Sequence, residues 1–340
     1  MRAIILVGGE GTRLRPLTYQ TPKQMLPLVG VPMIECVMVE LARAGVSDAV
    51  LSLGYLPDRF TEAYPDNVIG GVRVTYAVEP EPLDTAGAIR FAATAARVDD
   101  TFLVLNGDVV TDLDITRLVS FHRDRGAEAT IALHAVADPS RFGVVATGPD
   151  GRVSEFVEKP PRDDAPSNMI NAGTYVLEPA VLRRVAPSGR VSVERETFPA
   201  LAGAGVLFAM PDDAYWLDTG TPQTYLRANA DVLAGRGGRH AEGVVDGSWR
   251  HASAVVEATA TLRSSVVDRD SYVGEGAVVE GAVLMPGAIV EAGARVRSSI
   301  IGPGATVGSF ATLDATCVVG AKEHVAAGSV LSGDVRLGGV

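Results

Sequence analysis

From Val256 onward an aliphatic residue returns every five or six positions. Leu262, Val267, Val273, Val279, Leu284, Val290, Val296, Ile301, Val307, Leu313, Val319, Val325 and Leu331 carry the pattern. Every third step closes a longer period. Val256, Val273, Val290 and Val307 stand 17 residues apart, and Val325 follows after 18. Gly, Ala and Ser fill many of the positions between, as in Gly274-Glu275-Gly276 and Gly302-Pro303-Gly304. A hexad with one branched side chain suits one face of a triangular coil, with small residues turning the corners. Three such faces predict a left-handed parallel β-helix of roughly four or five coils. A β-sandwich with regular turns is the alternative, and the constant step argues against it.

Upstream, to about residue 232, short apolar runs alternate with helical patterns. Strands are expected at 3–7, 49–53, 72–78, 102–106 and 130–136, and helices at 33–44, 85–96 and 115–125. That order predicts an α/β, Rossmann-like, mostly parallel sheet covered on both faces. Between the two regimes, Ala234-Gly235-Arg236-Gly237-Gly238-Arg239-His240 and the mixed polar residues after it have linker composition. The expected division is a domain over 1–235, a linker over 236–254 and the β-helix over 255–340.

Of the 340 residues, 30 are Lys or Arg and 41 are Asp or Glu, a net charge of −11. A general nucleic-acid or anionic-membrane binder is not expected at that balance. Cations that meet an anionic ligand must therefore be concentrated in one place. Cys36 and Cys317 can form neither a disulfide framework nor a four-ligand zinc site, and they fit a reduced, cytoplasmic setting. No apolar run approaches the ~18 residues of a membrane span. The N-terminal run Ala3-Ile4-Ile5-Leu6-Val7 reads as a first strand rather than a leader.

That first strand runs into Gly8-Gly9-Glu10-Gly11-Thr12-Arg13-Leu14-Arg15-Pro16-Leu17-Thr18. Glycines let backbone N–H groups approach anionic oxygens. The third glycine of a dinucleotide fingerprint is missing, and no P-loop lysine follows. What remains is a glycine turn with Arg13, Arg15 and Lys23 inside eleven residues. Arg grips phosphate bidentately and Lys supplies a point charge. On residues alone a solvated basic loop is the other reading. Its place at the C-terminal end of a first strand favours a ligand site.

This loop, with Pro22-Lys23, resembles the sugar-1-phosphate nucleotidylyltransferases, and most nearly their mannose-1-phosphate guanylyltransferase (GDP-mannose pyrophosphorylase) branch, whose chains also end in a left-handed β-helix. The resemblance recurs in order at Asn106-Gly107-Asp108, Phe142-Gly143-Val144-Val145, Phe156-Val157-Glu158-Lys159-Pro160 and Ile170-Asn171-Ala172-Gly173. It continues at Ser192-Val193-Glu194-Arg195-Glu196-Thr197-Phe198-Pro199 and Tyr215-Trp216-Leu217-Asp218-Thr219-Gly220-Thr221-Pro222. It implies that Leu6, Gly8, Gly9, Gly11, Thr12, Arg13, Glu79, Thr85, Ala86 and Gly107 surround the nucleotide. Gly143, Glu158, Lys159, Asn171 and Glu194 would surround the sugar phosphate. Arg13, Lys23, Asp108, Lys159 and Asp218 would carry catalysis, with Asp108 and Asp218 holding Mg²⁺. Two carboxylates at strand ends suit an ion that keeps phosphate and water ligands. Without the resemblance, Glu158-Lys159 reads as a surface ion pair.

The implied reaction is attack by a sugar-1-phosphate oxygen on the α-phosphorus of a nucleoside triphosphate, releasing pyrophosphate. By the same resemblance, Glu79 lies in the segment that reads the base. A carboxylate accepts from the adjacent N1–H and N2 amino donors of guanine and repels the carbonyls of thymine or uracil, so it favours GTP. Two positions depart from the pattern. Asp84 stands where a Gly-Thr-Ala-Gly run begins, so either the loop is reshaped or the nucleotide or acceptor is unusual. Gln24 follows Lys23, as in the thymidylyl branch. The expectations are GDP-sugar synthesis, transfer of another nucleotide (dTTP above all) or to a sugar-like cyclitol phosphate, and a catalytically silent GDP-sugar-binding regulator. Acyl transfer on the β-helix is disfavoured, with only His324 inside the repeat. The repeat is expected to join copies into a homo-oligomer.

Overall fold

The computed structural model describes residues 1–239 and 241–339. His240, in the expected linker, and Val340, in the expected β-helix domain, lie outside the described residues. The chain forms two compact units. One combines Met1–Gly9 with Ile34–Trp216, and the other combines Glu10–Met33 with the residues from Leu217 onward.

The first unit is built on a ten-stranded sheet. Its main strands are β1 (Arg2–Leu6), β2 (Asp48–Leu53), β3 (Val72–Val78), β4 (Phe102–Asn106), β5 (Ala129–Ala135), β6 (Gly143–Thr147), β7 (Val153–Glu158), β8 (Met169–Leu177) and β9 (Leu207–Pro211). The order is β7-β6-β8-β4-β1-β2-β3, closed by the short strand Val68–Ile69, and β5 pairs with β8 and β9. The centre is parallel: β1 lies between β2 and β4, and β2 pairs with β3. Beyond β4 the sheet turns antiparallel through β8, β6 and β7. The sheet is therefore mixed around the expected parallel core.

Register fixes the working edge. Leu6 pairs with Ser52 on one side and Asn106 on the other, and Val78 pairs with Leu53. The parallel strands thus end together, and their loops share one side, where open α/β sheets take ligands. Helices α1 (Met33–Arg43), α2 (Asp84–Ala95), α3 (Ile115–Arg125) and α4 (Phe198–Gly203) belong with these strands. Ile4, Val104, Ile131, Phe102, Tyr175, Ile89, Phe198 and Leu201 form one buried core. Each full burial of such a side chain contributes about 1.5–3 kcal/mol.

In the second unit, three stacks of short strands fit a left-handed parallel β-helix. One seven-stranded stack runs from Val244–Val245 through Val266–Val267 and Ile300–Ile301 to Arg336–Leu337, and the other two have five strands each. The repeat read from sequence is the stacking register: Val256, Val273, Val290, Val307 and Val325 pair coil to coil. Their side chains fill the interior with Val279, Leu284, Val296, Ile301 and Leu313. Within the stretch expected as linker, Val244–Val245 and Ser248–Arg250 already form strands. The anchor is Trp249, against which a Cβ on Gly30 would stand only 2.6 Å away. Helix α5 (Pro222–Leu233) completes the unit. Buried Tyr225 donates its hydroxyl to Pro27 O, and Val29 N donates to Asn229 Oδ1 at 2.9 Å.

Candidate active site

The glycine loop is held by its own side chains. Gly11 is left-handed at φ 63°, and a Cβ there would stand 3.0 Å from Thr18 Cγ2. Thr18 Oγ1 donates to Gly11 O at 2.8 Å. Residues 12–14, 17–19 and 23–25 form 3₁₀ turns. Arg15 pairs with Glu10 at 2.7 Å and lies over the Tyr19 ring, so it is engaged locally. Arg13 meets a distant segment instead. A Cβ on Gly220 would lie 2.5 Å from Arg13 Nη2 and 2.8 Å from Asp218 Oδ1. Gly220 N donates to that same Asp218 oxygen at 2.7 Å. Glycine at 220 is what lets Arg13 and Asp218 share this place. Gln24 is 1% exposed, and its Oε1 accepts no hydrogen bond among the described residues.

In the first unit, Glu79 stands just past β3, next to the Gly8 turn. Its Oε1 accepts from Ser52 Oγ at 3.1 Å and its Oε2 from Leu83 N at 3.1 Å. A Cβ on Gly8 would come 3.3 Å from Glu79 Oε1. Each carboxylate oxygen keeps a second lone pair for a ligand donor. Gly107 N donates to Leu6 O at 3.1 Å, which ties the turn bearing Asp108 to the end of β1. Asp84 opens α2 at φ 60°, a left-handed conformation that explains the usual glycine and that Asp tolerates better than most residues. Its Oδ1 accepts from Thr85 N at 2.8 Å. Ala86 N is also spent internally, on Val191 O at 2.9 Å. Thr85 offers its hydroxyl to Glu194 Oε2 at 2.7 Å, so these two expected contacts join each other.

A second group gathers where β6, β7 and β8 reach the same edge. Gly143 pairs with Glu158 across β6 and β7. A Cβ at Gly143 would strike Phe156 Cζ at 2.6 Å and approach Glu158 Oε2 at 3.0 Å. Lys159 Nζ lies 3.1 Å from Glu158 Oε1, and Lys159 itself is left-handed at φ 52°. Asn171 Nδ2 donates to Tyr175 Oη at 2.9 Å, and Asn171 Oδ1 accepts from Gly173 N at 2.9 Å. Burial pushes the Tyr175 phenol far up, and the charges of Glu194 and Glu158 add to it while the Asn171 contact opposes it. Asn171 thus bonds the buried Tyr175 phenol, Glu158 and Glu194 act on it through their charge, and Gly143 and Lys159 adjoin Glu158.

Sequence reasoning passed over Tyr175, Ser52, and the ring cluster around Trp216. Trp216 Nε1 donates to Ala172 O at 2.8 Å, His134 stacks on the indole at 5.6 Å, and Phe142 meets it edge-on at 5.5 Å. Burial lowers the His134 pKa, opposed by Asp212. The visible signal was polarity inside aliphatic strands, Ser52 in Ala-Val-Leu-Ser-Leu above all.

Among the described residues, no three His, Cys, Asp or Glu side chains cluster as a self-contained metal site. Asp108 and Asp218 offer hard oxygen donors. Carboxylate oxygens are the kind of donor Mg²⁺ takes alongside phosphate and water. Among the described residues no helix is long and apolar enough to cross a membrane.

Residues 2–235 match the nucleotidyl transferase family, and the chain belongs to that family, a class of enzymes. Residues 244–337 match the GMPPB C-terminal domain. Its relatives include a mannose-1-phosphate guanylyltransferase of Mycobacterium tuberculosis, 41% identical over 72% of this chain and 70% of that protein. A mannose-1-phosphate guanyltransferase of Aspergillus fumigatus is 40% identical over 71% of this chain and 67% of its own length. Among solved structures, HddC from Yersinia pseudotuberculosis complexed with GMP-PN superposes with a TM-score of 0.58 at 31% identity, covering 67% of this chain and 97% of that one. A putative glucose-1-phosphate thymidylyltransferase from Bacillus anthracis gives 0.60 at 28% identity, covering 68% of this chain and 94% of that one.

Proposed function

We propose that this enzyme transfers GMP from GTP to mannose-1-phosphate, forming GDP-mannose and pyrophosphate. The observation that carries the reading is the common ending of β1, β2, β3 and β4. It sets the Gly8-Gly9 turn, Glu79 and the Asp108 turn along one edge. The guanylyltransferase relatives and the GMP-PN complex of HddC support guanine, as does the Glu79 carboxylate. Buried Gln24 after Lys23 and the thymidylyltransferase-named neighbour favour dTTP as the second reading.

In this mechanism Arg13 and Lys23 grip the triphosphate and Lys159 the attacking phosphate. Glu158, Asn171, Glu194 and the Gly143 backbone take the sugar hydroxyls. Leu6, Gly9, Gly11 and Thr12 line the nucleotide, with Gly8, Gly107 and the α2 start at Thr85 and Ala86. Mg²⁺ held by Asp108 and Asp218 would supply charge neutralisation. One bond forms from the sugar phosphate oxygen to the α-phosphorus, and the bond from that phosphorus to the β-bridging oxygen breaks. A phosphate monoester with a second pKa near ~6 is already mostly dianionic at pH 7, so no general base is required. The protein's work is to align two anions that repel each other.

The enzyme would work in the cytoplasm as a homo-oligomer joined through the β-helix. Arg263, Glu280 and Arg297 stack in register on its outer face, with Asp314 one coil further. A row alternating in sign meets opposite charges in an antiparallel copy. The test of function is pyrophosphate release from four nucleoside triphosphates against several sugar-1-phosphates. GTP with mannose-1-phosphate should exceed other pairs by at least tenfold, and a stronger dTTP pairing would transfer the assignment to the thymidylyl reading.

A further inference from the structure

The last coil of the β-helix carries Arg336 in the strand Arg336–Leu337, paired with Val318–Val319 of the coil before. Its guanidinium does not face water freely. Nε and Nη2 are held by the two carboxylate oxygens of Asp334, at 3.1 and 3.4 Å. Nη1 donates to Arg13 O and, at 3.0 Å, to Arg15 O. Those carbonyls close the 3₁₀ turn Thr12–Leu14. Carbonyls at the end of a helical turn lack partners of their own and welcome a cation. The last two coils together form a flat bed for Pro16, the next residue of the loop. A Cβ on Gly320 would stand 3.1 Å from Pro16 Cγ, and one on Gly338 would stand 3.1 Å from Pro16 Cβ.

We infer that Arg336 is a positioning residue for the nucleotide-binding loop. More than 300 residues away in sequence, it holds the backbone of Arg13 so that the Arg13 side chain stays beside Gly220 and Asp218. Asp334 orients the guanidinium, and the two glycines admit Pro16. The β-helix is thereby part of the catalytic apparatus as well as an assembly surface. The role in turnover rests on the proposed nucleotidyl transfer. The effect on the loop does not, because it is read from backbone exchange.

The test uses the full chain with Arg336→Ala, Arg336→Lys and Asp334→Asn. Amide hydrogen exchange across 10–20 should quicken at least about tenfold in Arg336→Ala, with exchange across 255–332 unchanged. In turnover, the GTP KM should rise about tenfold and the mannose-1-phosphate KM stay within about twofold. Millimolar guanidinium should restore part of the loss, and Asp334→Asn should shift GTP KM in the same direction by less. Unchanged loop exchange in both Arg336→Ala and Asp334→Asn overturns the inference. So does a parallel rise of both KM values with a lowered melting temperature. If Arg336→Ala does not fold, Arg336→Lys and Asp334→Asn decide by the same exchange measurement. A wild-type protein without pyrophosphate release, but with loop exchange that responds to Arg336→Ala, sinks the functional reading and leaves the positioning role standing.

Discussion

Glu79 and Gly220 show how much individual atoms decide. The Glu79 carboxylate receives one protein donor on each oxygen, from Ser52 and Leu83 N, which fixes its plane. Glu79→Gln replaces an acceptor with a donor on one side. The GTP-over-dTTP preference should fall by about 1–3 kcal/mol, roughly 5- to 150-fold. Competition between the two nucleotides in one assay measures this, and unchanged selectivity would remove Glu79 from base recognition. Gly220→Ala puts a methyl 2.5 Å from the Arg13 guanidinium. If Arg13 grips the triphosphate as proposed, displacing it by about 1 Å costs on the order of a hundredfold in rate. Steady-state kcat/KM should drop by that much while the melting temperature moves by only a few degrees. Asp84 is a departure whose meaning became clear only from its backbone: the left-handed φ of 60° was invisible in the letters, although Gly as the usual occupant hinted at it.

At the scale of elements, legibility followed periodicity. The strands 72–78 and 102–106 and the helix 115–125 lie at the residues read from pattern. The coil-to-coil register of the β-helix was likewise contained in the 17-residue step. The antiparallel strands β6, β7 and β8 were harder to place. Gly143, Asn171 and Gly173 interrupt their alternation, and the register slips between Asn171 and Tyr175. Those interruptions are where the polar group around Tyr175 is built. A different polar element lies between α3 and the strands. His122 is 2% exposed, with Nδ1 at 2.8 Å from Thr130 Oγ1 and Nε2 at 3.1 Å from Glu178 Oε1. Burial lowers its pKa, while Glu178 raises it and Arg123 lowers it further. The unfolded chain therefore takes up this proton first, near the ordinary value of about 6.5. Stability should be full above that pH and decline as pH falls towards the folded pKa. Denaturant titrations of His122→Gln should show a weaker fall of stability as pH drops below about 6.5. An unaltered slope would mean that His122 does not titrate differently on folding.

For the whole molecule, the division into compact units matters more than the division of the sequence. Residues 10–33 sit in one unit with α5 and the β-helix, so the loop bearing Arg13 and Lys23 is supported by chain that lies far downstream. No local pattern in 10–33 announces this, because its contacts are long-range: Gly30 with Trp249, Pro16 with Gly320 and Gly338, and Val29 with Asn229. A chain ended at about residue 240 should lose activity by more than tenfold as well as run at a smaller size. Size-exclusion chromatography alongside pyrophosphate release separates the two effects. Retained turnover would show that the β-helix serves assembly alone, and an unchanged oligomeric size would remove it from assembly.

The lengthening of the coil from 17 to 18 residues, which happens twice, has a consequence for how such coils can vary. One additional residue falls between Asp314 and Val318, where Ala315 and Thr316 take φ 57° and 73°, and another falls at the same vertex one coil on, between Ser332 and Arg336, where Gly333 takes φ 91°; the pairings of Ile300 with Val318 and of Val318 with Arg336 resume undisturbed. The vertices of the prism are thus elastic in length while its walls are not. Natural indels, and deliberately grafted peptides, should accumulate at these vertices, leaving the ladder on either side in step.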